Sequence, residues 1–350
     1  MRPCLIALLL LAGAGTVHAG IYATTGMPPG PEVEGGAVKP MPAAWFRDNL
    51  NERLALTLEQ PASDRLVKKR QELLRIVNEL DSKRKAGVAT LDDQINLSAN
   101  LMWVGKPREA VEVLEPLARG EGRSNFMVLS NLATAYELAG QLERVPDYLQ
   151  QARLAWPDEA PGMSKEQLAW YKTVDRLQFR LALLRRAELA RQPAGVRFHP
   201  EGMDGLFGEP PVQYVGESGA YEAGKLAAKE QAKLPKDSLA SLQQLVLWFP
   251  DDTRLLWQVG ELLNAQGQVS EAYDILDDCV GAARRYDSKE LKEHRRILQE
   301  ARPAPPPPPP GVDLLPNRQK AVVVGGMAGI LIVTFAWLQV REFRRRRAQA

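Results

Sequence analysis

The sequence predicts an all-α fold: an α-solenoid of stacked helical pairs with an irregular insert, followed by one C-terminal transmembrane helix. Three observations predict it. Residues Phe126–Pro157, FMVLSNLATAYELAGQLERVPDYLQQARLAWP, hold two apolar-periodic segments broken at Gly140. The spacing returns, because Gly105 lies 35 residues before Gly140 and Ala110 lies 35 before Val145. Finally, Ala321–Val340 runs twenty residues without a charge, enough to cross a hydrocarbon core of ~30 Å.

Taken in order, residues 1–19 (MRPCLIALLLLAGAGTVHA) have one base, an apolar run from Leu5 to Ala14, and small residues before Gly20. That pattern is a secretory signal peptide cleaved after Ala19. Residues 20–44 are rich in Pro and Gly without sustained periodicity, which predicts disorder. Helical repeats are expected over 45–192. Trp45–Glu59 and Ser63–Lys85 read as amphipathic helices, the second with Leu66, Leu73, Leu74, Val77 and Leu80 as its stripe. Asp92–Arg119 is a helical pair with Pro107 in the first turn of its second helix, where a missing N–H is harmless. Pro116 is expected to disturb the end of that helix. Ser164–Arg191 reads as one long helix opened by a Ser164/Gln167 capping box.

Residues 193–224 break the pattern with Gly and Pro, and offer two short candidate strands, Val196–His199 and Val212–Val215. Repeats resume over 225–301, with Gly267 as a turn, Ser238–Phe249 before it and Asp287–Ala301 as a closing helix. Pro303–Pro310, inside a linker over 302–320, reads as a polyproline II spacer of roughly 25 Å. The span Ala321–Val340 and a basic tail over 341–350 end the chain. Five arginines follow the span, so the positive-inside rule puts the tail in the cytoplasm and the repeats outside. The expected location is the inner (cytoplasmic) membrane, single-pass, with periplasmic repeats.

The unit at 126–157 resembles the tetratricopeptide repeat. Leu132, Ala133, Tyr136, Gly140, Leu149, Ala152 and Pro157 occupy the family's positions, with Val145 where the family has Ala. The earlier copy is weaker, with Ser98 and Leu101 replacing the small residue and the aromatic. The resemblance covers roughly 90–160 and 236–285, and the layout is similar to uncharacterised membrane-anchored repeat proteins of bacterial envelopes. It implies a concave groove lined by the first helix of each pair. Ser130, Thr134, Glu137 and Leu138 would line it, with Ala99, Met102 and Trp103 beside them. Asn96 and Asn131 match an Asn that some members use to hold a ligand's backbone. The expected partner is an unidentified protein or peptide; exposed Met102 and Trp103 would suit an apolar or helical one, and the alternative reading is that both pack against the next helix.

Composition limits the alternatives. Residues 20–320 carry 39 bases against 42 acids, without the basic footprint that phosphate binding needs, so no nucleic-acid partner is expected. After Cys4 leaves with the leader, only Cys279 remains, and it occupies the small-residue position of a repeat, so a buried structural thiol is expected. Gly219–Lys225 satisfies GxxxxGK, but Leu226 stands where a phosphate loop has Ser or Thr, and Glu222 would sit in the cradle. His199 and His294 have no second His at metal spacing. No catalytic residue, cofactor or metal is expected, and the protein reads as a scaffold rather than an enzyme.

Two further readings concern the end of the chain. Ala321, Gly325 and Gly329 recur every four residues, a face that would suit a homodimer and a self-associating spacer of the envelope. Leu315–Gln319 faintly resembles a sortase signal, with Arg318 and Gln319 in place of its Thr-Gly, which would imply a processed surface protein.

Overall fold

The computed structural model describes residues 22–24, 33–34, 37–159, 164–191, 202–281, 284 and 286–303. Among these, twelve helices form, joined by turns and one irregular region, with a two-residue antiparallel ladder (Val33–Glu34 with Ala37–Val38) as the only strand pairing. The chain is all-α.

Helix α1 (Ala43–Thr57) is followed by α2 (Asp64–Lys85), whose N-cap Ser63 accepts from the Leu66 N–H. Next come α3 (Leu91–Trp103), opened by a Thr90/Asp93 capping box, and α4 (Pro107–Arg119), with its proline at the first position. Helices α5 (Phe126–Leu138) and α6 (Val145–Ala155) make the central pair. The long α7 (Lys165–Ala190) starts at the expected Ser164/Gln167 capping box. After residues 202–227, the one-turn α8 (Ala228–Gln231) leads to α9 (Ser238–Trp248), α10 (Thr253–Ala265), α11 (Val269–Val280) and α12 (Lys289–Ala301).

One turn recurs and sets the geometry. After α5, Gly140 takes φ +75°, its N–H donates to Glu137 O (3.0 Å), and Gln141 N–H donates to Tyr136 O (2.9 Å). The pairs α3/α4 and α10/α11 repeat the same two bonds around Gly105 and Gly267. Two nested bonds closed by a left-handed residue form a Schellman turn, which reverses the chain so that the second helix packs back on the first. The small and apolar positions then interdigitate: Leu132, Ala133, Tyr136, Val145, Leu149 and Ala152 are all buried.

Successive helices pack on their neighbours from α2 to α7 and from α9 to α12, and α7 packs on α9 across the irregular region. Helix α1 breaks this order, touching α2, α3, α9 and α11. Arg47 of α1 donates to Asp278 of α11 (2.8 and 2.9 Å), while Arg53 donates to the carbonyls of Met102 (3.2 Å) and Trp103 (2.8 Å) at the end of α3. The two expected blocks of repeats therefore share one core, and the described residues up to Arg302 form one compact unit.

The closeness of α10 and α11 rests on Gly260. A Cβ there would stand 2.0 Å from Leu276 Cδ1 and 3.2 Å from Ile275 Cγ2. Both side chains are fully buried and have no room to swing aside. Gly260→Val is expected to cost about 2–3 kcal/mol through overpacking, read as a lower urea midpoint with an unchanged slope.

Several sequence expectations change. Residues 20–44 were expected to be disordered, yet Tyr22–Thr24 and Met41 make defined hydrogen bonds, and α1 begins at Ala43. Val212–Val215 is no strand, because Val212 and Gln213 donate to Phe207 O and to Glu230 Oε2 rather than to a neighbouring strand. Helix α4 runs through Pro116 to Arg119, since a proline so near the C-terminal end removes only one helical bond. Val196–His199 and the span Ala321–Val340, with Ala321, Gly325 and Gly329, lie outside the described residues. No helix among the described residues is long and apolar enough to cross a membrane.

Candidate functional site

The side chains expected to line a groove do gather on one face, but they are not open to a partner. Asn96, Ala99, Met102, Trp103, Ser130, Asn131, Thr134 and Glu137 are each at most 8% exposed, and Leu138 is half-buried. This corrects the expectation of an accessible groove, and the chain's own segments are the reason.

The first occupant is Tyr22–Thr24. Asn131 grips the backbone of one residue through both its N–H and its carbonyl: Tyr22 N–H donates to Asn131 Oδ1 and Asn131 Nδ2 donates to Tyr22 O, each at 2.8 Å. Two residues on, Thr24 N–H donates to Asn96 Oδ1 (2.8 Å), and Asn96 Nδ2 donates to Thr24 Oγ1 (2.9 Å). An extended chain advances roughly 6.6 Å in two residues, so the first helices of consecutive pairs, α3 and α5, meet alternate residues of the segment. The ring of Tyr22 sits edge-on among Phe126, Trp156, Tyr171 and Trp248, with centroids 5.6–6.1 Å apart. Its phenol donates to Asp175 Oδ1 (3.0 Å).

The second occupant is α1. Met102 and Trp103 are covered because Arg53 caps the carbonyl end of α3 and lies 4.0 Å above the Trp103 ring. Among the described residues no acid pairs with Arg53, and burial pulls its guanidinium down to about 9. The C-terminal end of the helix dipole and the aromatic face hold the charge instead. Beside it lies a cavity of about 520 Å³ lined by Arg53, Leu54, Leu58, Met102, Leu138 and Pro250.

The third occupant is α7. Asp175 accepts from Ser130 Oγ (3.0 Å) and Trp156 Nε1 (2.8 Å) as well as from Tyr22, and Gln178 donates to Thr134 Oγ1 (3.3 Å) and Glu137 Oε2 (3.2 Å). Further along α7, Arg185 reaches Asp204 (2.8 Å), Asp252 and Glu137 (3.7 Å).

Further clamps come from residues that the sequence reading passed over. Gln243 of α9 holds Met41 as Asn131 holds Tyr22, accepting from its N–H (2.8 Å) and donating to its carbonyl (2.9 Å). Asn264 of α10 accepts from Gly224 N–H (2.6 Å) and donates to Glu222 O (3.1 Å), and Gln258 donates to Asp204 O (3.1 Å). A signal for Gln258 was present: Asn96, Asn131 and Gln258 each stand nine residues before their turn glycine. The irregular region 202–227 is therefore a second non-helical segment, rich in turns, held by amide side chains. Within it, Gly224 is engaged by Asn264 and Lys225 by Glu222 (2.8 Å), so the GxxxxGK match is a structural turn. Cys279 is buried and free, as its repeat position implies. Among the described residues, no group of three His, Cys, Asp or Glu side chains could hold a metal ion.

Burial raises two carboxyls on this face. Asp175 moves up to about 6 despite its three donors, and Glu137 up to about 7 despite Arg185, with Asp252 and Asp204 adding to the rise. Both exceed the ordinary carboxylate value near 4, so above that value the folded chain binds more protons than the unfolded chain. By linkage, stability is full below about pH 4, falls as pH rises, and has lost this contribution by about pH 7. Carboxyls held below their ordinary values, such as Asp252 and Glu115, act at lower pH. Melts at pH 5.5 are expected a few degrees above those at pH 7.5, and Glu137→Gln should flatten the upper part of that slope.

No family model, curated protein or solved structure matches the chain.

Proposed function

We propose that the chain is a membrane-anchored, extracytoplasmic scaffold of tetratricopeptide-like repeats that docks protein segments. The observation that carries this reading is the set of amide side chains one helical pair apart, on α3 and α5, which hold the main chain of an extended segment. Main-chain clamps with a side-chain pocket between them are the physical requirement for binding extended peptides. The recurring glycine turns and the small residues of the central pair support the repeat assignment. The leader-like start, the proline spacer, the apolar stretch 321–340 and the arginines after it support the anchored, periplasm-facing arrangement.

Leu58, which is 53% exposed at the cavity beside Met102 and Leu138, is a suitable position for a photo-crosslinking residue. In intact cells it should give one dominant adduct with a foreign extracytoplasmic protein. Adducts only with a second copy, or with cytoplasmic proteins, would contradict the reading.

A further inference from the structure

We propose that Tyr22–Thr24 is an exchangeable resident of the inner face, displaced by a partner segment of the same form: extended, with an aromatic residue followed two positions later by Ser or Thr. The inference rests on the scaffold reading above and names the partner class of that site.

The chemistry of the form is set by what each position meets. The clamp made by Asn131 touches only backbone and accepts any residue. Selectivity comes from the pocket of Phe126, Trp156, Tyr171 and Trp248, which fits an aromatic ring and ends in the acceptor Asp175. Asn96 then selects a hydroxyl at the second position after the ring, because its Nδ2 needs an acceptor where Thr24 Oγ1 lies. Ala23, between them, is half-buried against the core and has only a methyl side chain, so that position sets no polar requirement on a partner.

Three observations point to exchange rather than permanent packing. Thr24 is exposed, so the segment can peel from that end. The leader expected over residues 1–19 would, once cleaved after Ala19, make Tyr22 the third residue of the chain, and a chain end leaves a groove without threading. The resident also leaves the site incompletely satisfied. Trp248 Nε1 in the pocket wall, and both amide atoms of Gln244 one turn earlier on α9, are buried without a hydrogen-bond partner. Unmade bonds of this kind weigh against the occupied state, and a longer partner segment has polar groups to supply them.

A tethered segment competes at an effective concentration on the order of millimolar, so free peptide should bind the intact chain weakly and a chain with a weakened resident more tightly. The test uses the full chain in detergent and a labelled peptide of residues 20–27, Gly-Ile-Tyr-Ala-Thr-Thr-Gly-Met, followed by fluorescence anisotropy. Tyr22→Ala should tighten peptide binding at least tenfold. Adding Asn131→Ala should reverse that gain, and a peptide with Ala in place of Tyr should not bind. Thr24→Ala, at an exposed position that leaves the core intact, should tighten binding about threefold and serves if Tyr22→Ala does not fold. Peptide that fails to bind the folded variants, or that binds all forms equally, overturns the proposal. If Leu58 crosslinks persist in that case, exchange alone fails and the scaffold reading stands; loss of both removes the scaffold reading as well.

Discussion

Arg185→Ala is expected to lower the stability of the folded chain by about 3–5 kcal/mol, the usual cost of removing one partner from a buried ion pair. Arg185 joins parts that are distant in sequence. From α7 it reaches Asp204 in the irregular region, Asp252 at the start of α10, and Glu137 on α5. The side chains of Asp204 and Glu137 are 1% and 4% exposed, so water cannot replace the guanidinium. Asp204 keeps Arg254 (3.1 Å), which moderates its share of the loss. Glu137 keeps only Gln178 and is expected to take up a proton instead, so the penalty should be smaller at pH 5.5 than at pH 7.5. Arg186→Ala is the control. That side chain is 43% exposed and lies 3.5 Å from an Asp147 that is itself 71% exposed, and such pairs contribute no more than about 1 kcal/mol. Urea unfolding followed by circular dichroism separates the two variants.

The second large effect is expected at Asp175. Asp175→Ala leaves two buried donors, Tyr22 Oη and Ser130 Oγ, and the half-buried Trp156 Nε1 without their acceptor. An unsatisfied buried donor costs about 1–3 kcal/mol. Ser130 can turn its hydroxyl to a helix carbonyl, so a total near 3 kcal/mol is expected. Asp175→Asn keeps one acceptor oxygen, should cost less, and should remove the part of the pH slope assigned to this carboxyl. Tryptophan fluorescence should register the alanine change directly, since Trp156 and Trp248 both flank the Tyr22 ring.

The local rules of the helices were legible in the sequence. The Ser164/Gln167 capping box, the glycine turn at 140 and the small residues Ala133 and Ala152 state their structural role within a few positions of themselves. So did the identity of the inner face, because Asn96 and Asn131 repeat at one spacing. What covers that face was not legible. Tyr22 meets Asn131 across 109 residues, and Met41 meets Gln243 across 202, from a Pro/Gly-rich stretch with no periodicity to read. Exposure in a groove and packing on the next helix both remained open for Met102 and Trp103, because nothing in α3 reveals that Arg53 will arrive from α1. The adjacent acids Asp277 and Asp278 of α11 are paired from elsewhere in the chain in the same way, by Arg295 of α12 and Arg47 of α1. Extended segments carry no helical signal of their own, and their positions are set by amide side chains elsewhere in the chain.

The central claim is that the inner face holds the chain's own N-terminal segment through these amides. Hydrogen–deuterium exchange at the Tyr22, Thr24 and Met41 amides of the full chain tests it most directly, because each N–H donates to a buried or half-buried side-chain oxygen. The account predicts exchange far slower than in an unstructured peptide, with Tyr22 and Thr24 accelerating in Asn131→Ala while Met41 stays protected. Exchange of all three at the rate of free chain in the folded protein would contradict it.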